Sequence, residues 1–264
     1  MIFASDLDRT LIYSYRSFDV TQLEVPVRTV EHSSGNELTY MTETSIKLLH
    51  EINEKGLFVP VTTRNVDQYK RISLFQEEIC PKYVIACNGA VILQNGEVDR
   101  TWEQKIKEKE MGSPVSLDEM KRKIERTADS SWLESLRTVD PFFIYLLVKP
   151  DNISEIWLTN LSEWARMNGW VLSMQGRKVY IIPSFINKWD AVKYVAEKEE
   201  EMEICTAGDS YLDVCMIERA DFGLIPRHGE AANTFGHLGL TKSTGVLAAE
   251  ELLQAMLAKL RQSV

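Results

Sequence analysis

Four short clusters, far apart in the chain, carry carboxylates, hydroxyls and a lysine in patterns suited to holding a cation and an oxyanion together. Asp6-Leu7-Asp8-Arg9-Thr10 gathers two carboxylates and a hydroxyl directly after an apolar run. Brought into one site, Asp6 and Asp8 repel each other, and a divalent cation relieves that repulsion. Thr62-Thr63-Arg64 follows a second apolar run that ends at Val61. A hydroxyl and a backbone N–H at the start of a helix from Asn65 suit a phosphate oxygen, although Thr and Asn are also ordinary N-caps. Lys188, in Ile186-Asn187-Lys188-Trp189-Asp190, falls in the first turn of a helix, where its cation opposes the macrodipole. Such a placement points to an anion nearby, against the simpler reading of a solvated lysine. Gly208-Asp209-Ser210-Tyr211-Leu212-Asp213 sets two carboxylates on one side of a turn, which suits a hard, oxygen-liganded cation such as Mg²⁺. Helix capping is the alternative for Asp209.

The elements that must position these clusters are legible in the hydrophobic pattern. Met1 to Ser5 reads as a buried strand. Tyr13 to Tyr40 is an excursion that reads as a hairpin about Ser33-Ser34-Gly35-Asn36. A helix from Thr42 presents Ile46, Leu49 and Ile52 on one face and ends at Gly56, read as a left-handed C′ glycine. Leu57 to Val61 reads as a strand, with Pro60 a blemish in its ladder. A helix with Asn65 and Gln68 at capping-box spacing follows, then a strand over Tyr83 to Ala86. Alternation of strand and helix predicts a Rossmann-like doubly wound parallel sheet. After Asn88-Gly89-Ala90 the pattern changes to helices over Trp102 to Met111 and Leu117 to Ala128. An apolar run from Phe142, a helix around Ile156 to Met167 and strands near Trp170 and Lys178 complete this stretch. The α/β pattern resumes at Asn187. The predicted fold class is α/β, with an α+β module over 91–182 inserted into a core made of 1–90 and 183–264. All four clusters fall at the carboxyl ends of predicted core strands, where open α/β sheets bind ligands.

Composition narrows the function classes. At 264 residues, 44% hydrophobic and 26% charged, the chain is long enough to fold without disulfides or a structural metal. A net charge of −9 lacks the basic footprint that nucleic acid requires, so no nucleic-acid partner is expected. The apolar stretches fall far short of the ~18 residues of a membrane span. Cys80, Cys87, Cys205 and Cys215 have no metal-binding spacing and read as buried thiols of a reducing compartment. With no signal-like start, the expected location is cytoplasmic. The histidines His32, His50, His228 and His237 show no ligand spacing. Five of the six tryptophans, Trp102, Trp132, Trp157, Trp164 and Trp170, lie in the inserted module, where packing is their expected role. The sequence carries no signal for oligomeric state.

The ordered set of clusters resembles the haloacid dehalogenase (HAD) superfamily, whose motifs are D-x-D-x-T, a strand-end Thr or Ser, a Lys and a GD-x-x-x-D cluster. The insertion after Asn88-Gly89-Ala90 is similar to the C2-type cap of subfamily IIB. That Cof-like branch includes sucrose-phosphate phosphatase, mannosyl-3-phosphoglycerate phosphatase and phosphomannomutase. The resemblance implies a Mg²⁺-dependent phosphatase acting on a small phosphorylated metabolite, a sugar or polyol phosphate. It implies Asp6 as nucleophile, Asp8 as general acid and base, and Thr62 and Lys188 as holders of the phosphoryl oxygens. Mg²⁺ would be bound by Asp6, the main-chain carbonyl of Asp8, and Asp209, with Asp213 orienting its waters. Arg9, Thr63, Arg64, Asn88 and Gly89, with Arg177 and Lys178 from the cap, are the substrate-binding candidates. Arg9 stands where many relatives have glycine, and either reaches the substrate or covers the turn. Three alternatives remain beside the phosphatase. A phosphomutase would use the same residues, a phosphoacceptor receiver would be half this length, and a silent scaffold would not need every motif residue.

Overall fold

The structure, a computed structural model, describes residues 1–19 and 25–262. Its first strand, β1 (Ile2–Ser5), is buried along its whole length. The excursion that follows is a hairpin of β2 (Val27–Ser33) and β3 (Asn36–Thr42); residues 20–24 of it lie outside the described residues. Ser34 and Gly35 at the tip have φ of 50° and 79°, as a two-residue hairpin turn requires. Helix α1 (Glu43–Lys55) is capped by Thr42, whose side chain accepts from the Ser45 N–H, and it buries Ile46, Leu49 and Ile52. Gly56 ends it differently from expectation. Its φ is −143°, outside the left-handed region. Close packing bears on this position instead, since a Cβ there would sit 3.0 Å from Leu260 Cδ1.

Strand β4 (Leu57–Pro60) leads into two short helices, α2 (Val66–Lys70) and α3 (Ser73–Glu77), and then β5 (Tyr83–Ala86). The Asn65/Gln68 capping box is present at α2. The antiparallel strands β6 (Val91–Gln94) and β7 (Glu97–Val98) continue from β5 and remain with the core.

The second unit spans Arg100–Asn187. It contains α4 (Arg100–Met111), α5 (Leu117–Thr127), β8 (Leu133–Val139), β9 (Phe143–Val148), α6 (Glu155–Met167), β10 (Trp170–Gln175) and β11 (Lys178–Pro183). Its antiparallel sheet runs in the order β10-β11-β9-β8. One face packs Ile144, Leu146, Val179 and Ile181 against Met120, Ile124, Leu161 and Ala165 of α5 and α6. Trp132, Trp157, Trp164 and Trp170 belong to this apolar layer, and Trp170 Nε1 donates to the Val115 carbonyl at 3.1 Å.

The remainder is α7 (Lys188–Lys198), β12 (Ile204–Ala207), α8 (Val214–Ile217), β13 (Phe222–Leu224), α9 (Ala232–Phe235) and α10 (Gly245–Gln262). With Met1–Asp99 it forms the first unit. The first boundary falls after Asp99, later than the expected 90, because β6 and β7 pair with β5, and the second falls after Asn187, where 182 was expected.

The core sheet has the order β13-β12-β1-β4, all parallel. Strand β5 joins through a single parallel bridge, Val61 to Ile85. Pro60 explains that weak seam. Val61 N–H points to Ser5 of β1 and Thr62 N–H points to Ile85, so by alternation the Pro60 nitrogen faces β5, where no ladder bond is needed. One sheet face, with Phe3, Phe58 and Cys205, packs against α1 and α10. The opposite face meets α8, where Thr206 Oγ1 donates to the Met216 carbonyl at 3.4 Å. Helices on both faces are why the short strands are apolar throughout. Of the cysteines, Cys87 and Cys205 are buried, but Cys80 is exposed at a left-handed turn (φ 46°), contrary to the all-buried expectation.

Candidate active site

Asp6 is fixed by the end of β1. Its N–H donates to the Ala207 carbonyl at 2.9 Å, extending the pairing with β12 by one step. The chain then turns tightly: the N–H groups of Thr10, Leu11 and Ile12 all converge on the Leu7 carbonyl. This turn returns Thr10 Oγ1 to Asp6, where it donates to Oδ2 at 3.2 Å. Arg9 at the crest has φ 62°, a conformation that favours glycine. It is held there on several sides. Its N–H donates to the Ile12 carbonyl, its Nη2 donates to the His228 carbonyl at 3.1 Å, and its Nε lies 3.4 Å from Asp209 Oδ2. His228 Nδ1 accepts from the Gly245 N–H at 3.0 Å, so its protonated nitrogen is Nε2, which donates to the Arg9 carbonyl at 2.9 Å. Burial lowers the pKa of this imidazole from its usual value.

Lys188, from the first turn of α7, is buried between two carboxylates. Nζ donates to Asp6 Oδ1 at 2.7 Å and to Asp213 Oδ1 at 2.5 Å. Asp213 Oδ2 in turn accepts from the N–H and Oγ of Ser210, at 2.9 and 2.7 Å. Each oxygen of Asp213 is thus assigned, and the loop after β12 is locked to α7. Oxygen atoms of Asp6, Asp209 and Asp213 lie within 4.8 Å of one another.

The electrostatics of this cluster lean negative. Burial, with Asp213 and Asp8 adding to it and Lys188 opposing, pushes the Asp6 carboxyl up to about 7. Burial, followed by Asp6 and Asp213, holds Asp209 well above the carboxylate range. Burial works against the charge on Lys188, but Asp213 and Asp6 outweigh it and raise its pKa. Lys188, with the half-exposed Arg9 guanidinium 3.4 Å from Asp209, sets two cations against three close carboxylates, and the donor set is entirely hard oxygen. Those two properties fit a divalent cation of the Mg²⁺ class beside Asp6 and Asp209, with Asp213, whose oxygens face Lys188 and Ser210, adding its charge to the cluster.

The other sequence-predicted residues are distributed as follows. Thr62 lies at the end of β4, buried, with its N–H on the Ile85 carbonyl and its own carbonyl accepting from Asn88 at 2.9 Å. Asn88 and Gly89 form a left-handed turn after β5, with φ of 58° and 104°. At the start of α2 several N–H groups have partners within the chain. That helix has only five residues, its Asn65 and Gln68 N–H groups are taken by the capping box, and the Arg64 N–H donates to Thr62 Oγ1 at 3.1 Å. Thr63 is partly buried beside it. Arg64 is paired with two carboxylates of the chain. Its Nε and Nη2 donate to the two oxygens of Asp8 at 2.7 Å each, and Nη1 lies 2.9 Å from Glu31 Oε2. In the second unit, Arg177 pairs with Glu134, and Lys178 Nζ lies over the rings of Tyr145 and Tyr180. Sequence reading missed Glu31, His228 and Ser210. Only Ser210, inside the Gly208 to Asp213 cluster, had a local signal.

A parallel α/β core that gathers Asp6, Lys188, Asp209 and Asp213 at the carboxyl ends of its strands defines a HAD-fold phosphatase. Within that class the chain belongs to the Sucrose-6F-phosphate phosphohydrolase family (S6PP), which matches residues 1–234. Among solved structures it is similar to the sucrose-phosphatase of Synechocystis sp. PCC6803 in complex with sucrose and phosphate. That likeness has 15% identity, TM-score 0.68 and 97% of each chain covered. It is also similar to the HAD subclass IIB sugar phosphatase BT4131 (12% identity, TM-score 0.66, 98% of each chain). A third likeness is to the Thermoplasma acidophilum 0175 protein (12% identity, TM-score 0.63, covering 97% of this chain and 99% of that one). No curated protein matches the sequence. Among the described residues, no helix is long and apolar enough to cross a membrane.

Proposed function

We propose that the chain is a Mg²⁺-dependent phosphatase that hydrolyses a small sugar or polyol phosphate through an aspartyl-phosphate on Asp6. The observation that carries this reading is the position of Asp6. Its carboxylate is oriented by Thr10 and Lys188 and shares a cluster with Asp209 and Asp213. In the first step an Asp6 oxygen bonds to phosphorus and the ester oxygen leaves with a proton from Asp8. In the second, Asp8 takes a proton from water, the water oxygen bonds to phosphorus, and the Asp6 carboxylate is released with inorganic phosphate. Lys188 and Thr62 serve the phosphoryl oxygens, where charge builds. A bound cation would supply the positive charge that lets an ionised Asp6 approach an anionic phosphate. Asp6 and Asp209, with the main-chain carbonyl of Asp8, would hold it, while Asp213 orients Lys188.

Membership of a family described as sucrose-phosphate phosphohydrolases supports a sugar phosphate, as does the sucrose and phosphate bound to the Synechocystis relative. The free thiols support a cytoplasmic setting. The test is phosphate release from a panel of sugar phosphates, polyol phosphates, nucleotides and phosphoglycerates, with Mg²⁺ and with chelator. Release confined to sugar and polyol esters, and lost with chelator, is expected. Release that ignores metal removal would contradict the reading.

A further inference from the structure

Glu31 is a buried carboxylate that no step above uses. It sits in β2 with a side-chain exposure of 1%, and it accepts from Thr39 Oγ1 at 3.1 Å. Arg64 Nη1 lies 2.9 Å from its Oε2, and Arg71 Nε lies 3.3 Å from its Oε1. The hairpin is built to deliver it. The register of β2 on β3 slips on both sides of Glu31, and such a bulge re-aims a side chain that regular alternation would turn to solvent. Val30 and Glu31, adjacent in sequence, are consequently both buried. The bulged segment is pinned to the turn between α2 and α3: Glu31 bridges Ile72, and Ser73 Oγ donates to the Val30 carbonyl at 3.3 Å.

The guanidinium of Arg64 therefore spans two carboxylates. Its Nε and Nη2 face Asp8 as a fork, and Nη1 faces Glu31. A planar guanidinium that donates through a fork to one carboxylate and lies within ion-pair distance of a second at Nη1 is restricted in orientation, so the charge facing Nη1 bears on the direction of the fork. We propose that Glu31 is a positioning residue, which through Arg64 sets the direction in which the Asp8 carboxylate faces. The effect on turnover rests on the acid and base role given to Asp8 above; the effect on Arg64 does not.

The test uses the full chain with Mg²⁺ and two probes, glycerol 2-phosphate and para-nitrophenyl phosphate. The parameter is kcat/KM, which reports phosphoryl transfer to the enzyme. The nitrophenolate leaves without a proton, whereas the glycerol oxygen needs one. Glu31→Gln is expected to lower kcat/KM about tenfold or more for the glycerol ester but less than about threefold for the nitrophenyl ester. In heteronuclear NMR of the isotope-labelled protein, the Arg64 Nε–H signal, assigned by its loss in Arg64→Lys, should broaden or vanish in Glu31→Gln. If Glu31→Gln does not fold, Thr39→Val, which removes one hydrogen bond to Glu31, should move both readouts the same way by less. Equal losses on both esters, or an unchanged Arg64 signal, would overturn the proposal. If the wild type hydrolyses neither these esters nor any member of the panel above, the phosphatase reading falls and the Arg64 signal alone decides the positioning role.

Discussion

Gly208 and Asp213 occupy space that admits no side chain on the first: a Cβ added to Gly208 would lie 2.3 Å from the Asp213 Cβ. The glycine has an ordinary φ, so close approach and not backbone freedom requires it. By letting the chain pass this close, Gly208 allows Asp213 to reach both Ser210 and Lys188. Gly208→Ala must push Asp213 away, and overpacking of this kind costs about 1–3 kcal/mol. The expected result is a folded protein with phosphatase turnover reduced about tenfold or more, since tenfold needs only about 1.4 kcal/mol of misplacement. Steady-state kinetics beside a thermal melt checks it, and wild-type turnover would show that Asp213 need not sit where it does.

Lys188 is the counter-ion of a buried cluster, so its removal should be felt in stability as well as rate. Lys188→Met keeps an unbranched side chain one atom shorter but leaves Asp6 and Asp213 facing each other. Breaking a buried pair by deleting one partner costs about 3–5 kcal/mol. Urea unfolding of the metal-free protein near neutral pH should show a loss of that order, and a shift under about 1 kcal/mol would mean the carboxylates are compensated elsewhere.

The same cluster predicts a pH dependence with a definite sign. The Asp6 carboxyl is raised from 3.8 to about 7, so the folded chain holds this proton more tightly than the unfolded one. Its contribution to stability is complete below the unfolded value and is lost as pH rises through about 7. Asp209 is shifted in the same direction. With chelator present, the melting temperature should therefore fall between about pH 5 and about pH 8. Mg²⁺ binds the ionised carboxylates, so its stabilising effect should be larger at the upper end of that range. A melt that is flat with pH and indifferent to Mg²⁺ would count against the assigned cation site.

Arg9 separates backbone from side-chain effects. At φ 62° an L-residue is strained by roughly 1–2 kcal/mol, and glycine is not. Arg9→Gly and Arg9→Ala lose the same contacts with His228 and Asp209, so the difference between them isolates the backbone. Arg9→Gly should be the more stable by about 0.5–1 kcal/mol after the larger chain entropy of glycine is deducted. Paired denaturant melts decide this, and an advantage for alanine would contradict the left-handed turn.

How much of this was visible beforehand differs by residue. Asp6, Lys188, Asp209 and Asp213 were readable because each sits within a few residues of a strand end or helix start, where local pattern and chemistry coincide. The parallel core was readable from apolar runs alternating with helical faces. Strand β8 was not, since its residues are mostly partly or fully exposed and carry no clear alternation. Glu31 lies in a strand that reads as polar hairpin surface, and only the bulge turns it inward. His228 is a lone histidine whose partners, Arg9 and Gly245, are assembled by tertiary structure. The two carboxylate partners of Arg64 come from segments far away in sequence, so no local pattern announced them.

The central claim is that Asp6 carries the phosphoryl group. The wild-type chain, turning over a radiolabelled sugar phosphate with Mg²⁺, can be quenched in acid and its peptides mapped. The label should appear on the peptide that contains Asp6, and Asp6→Asn should show neither label nor phosphate release, a loss of at least about a thousandfold. Sustained phosphate release by Asp6→Asn, or label on a different peptide, would contradict the account.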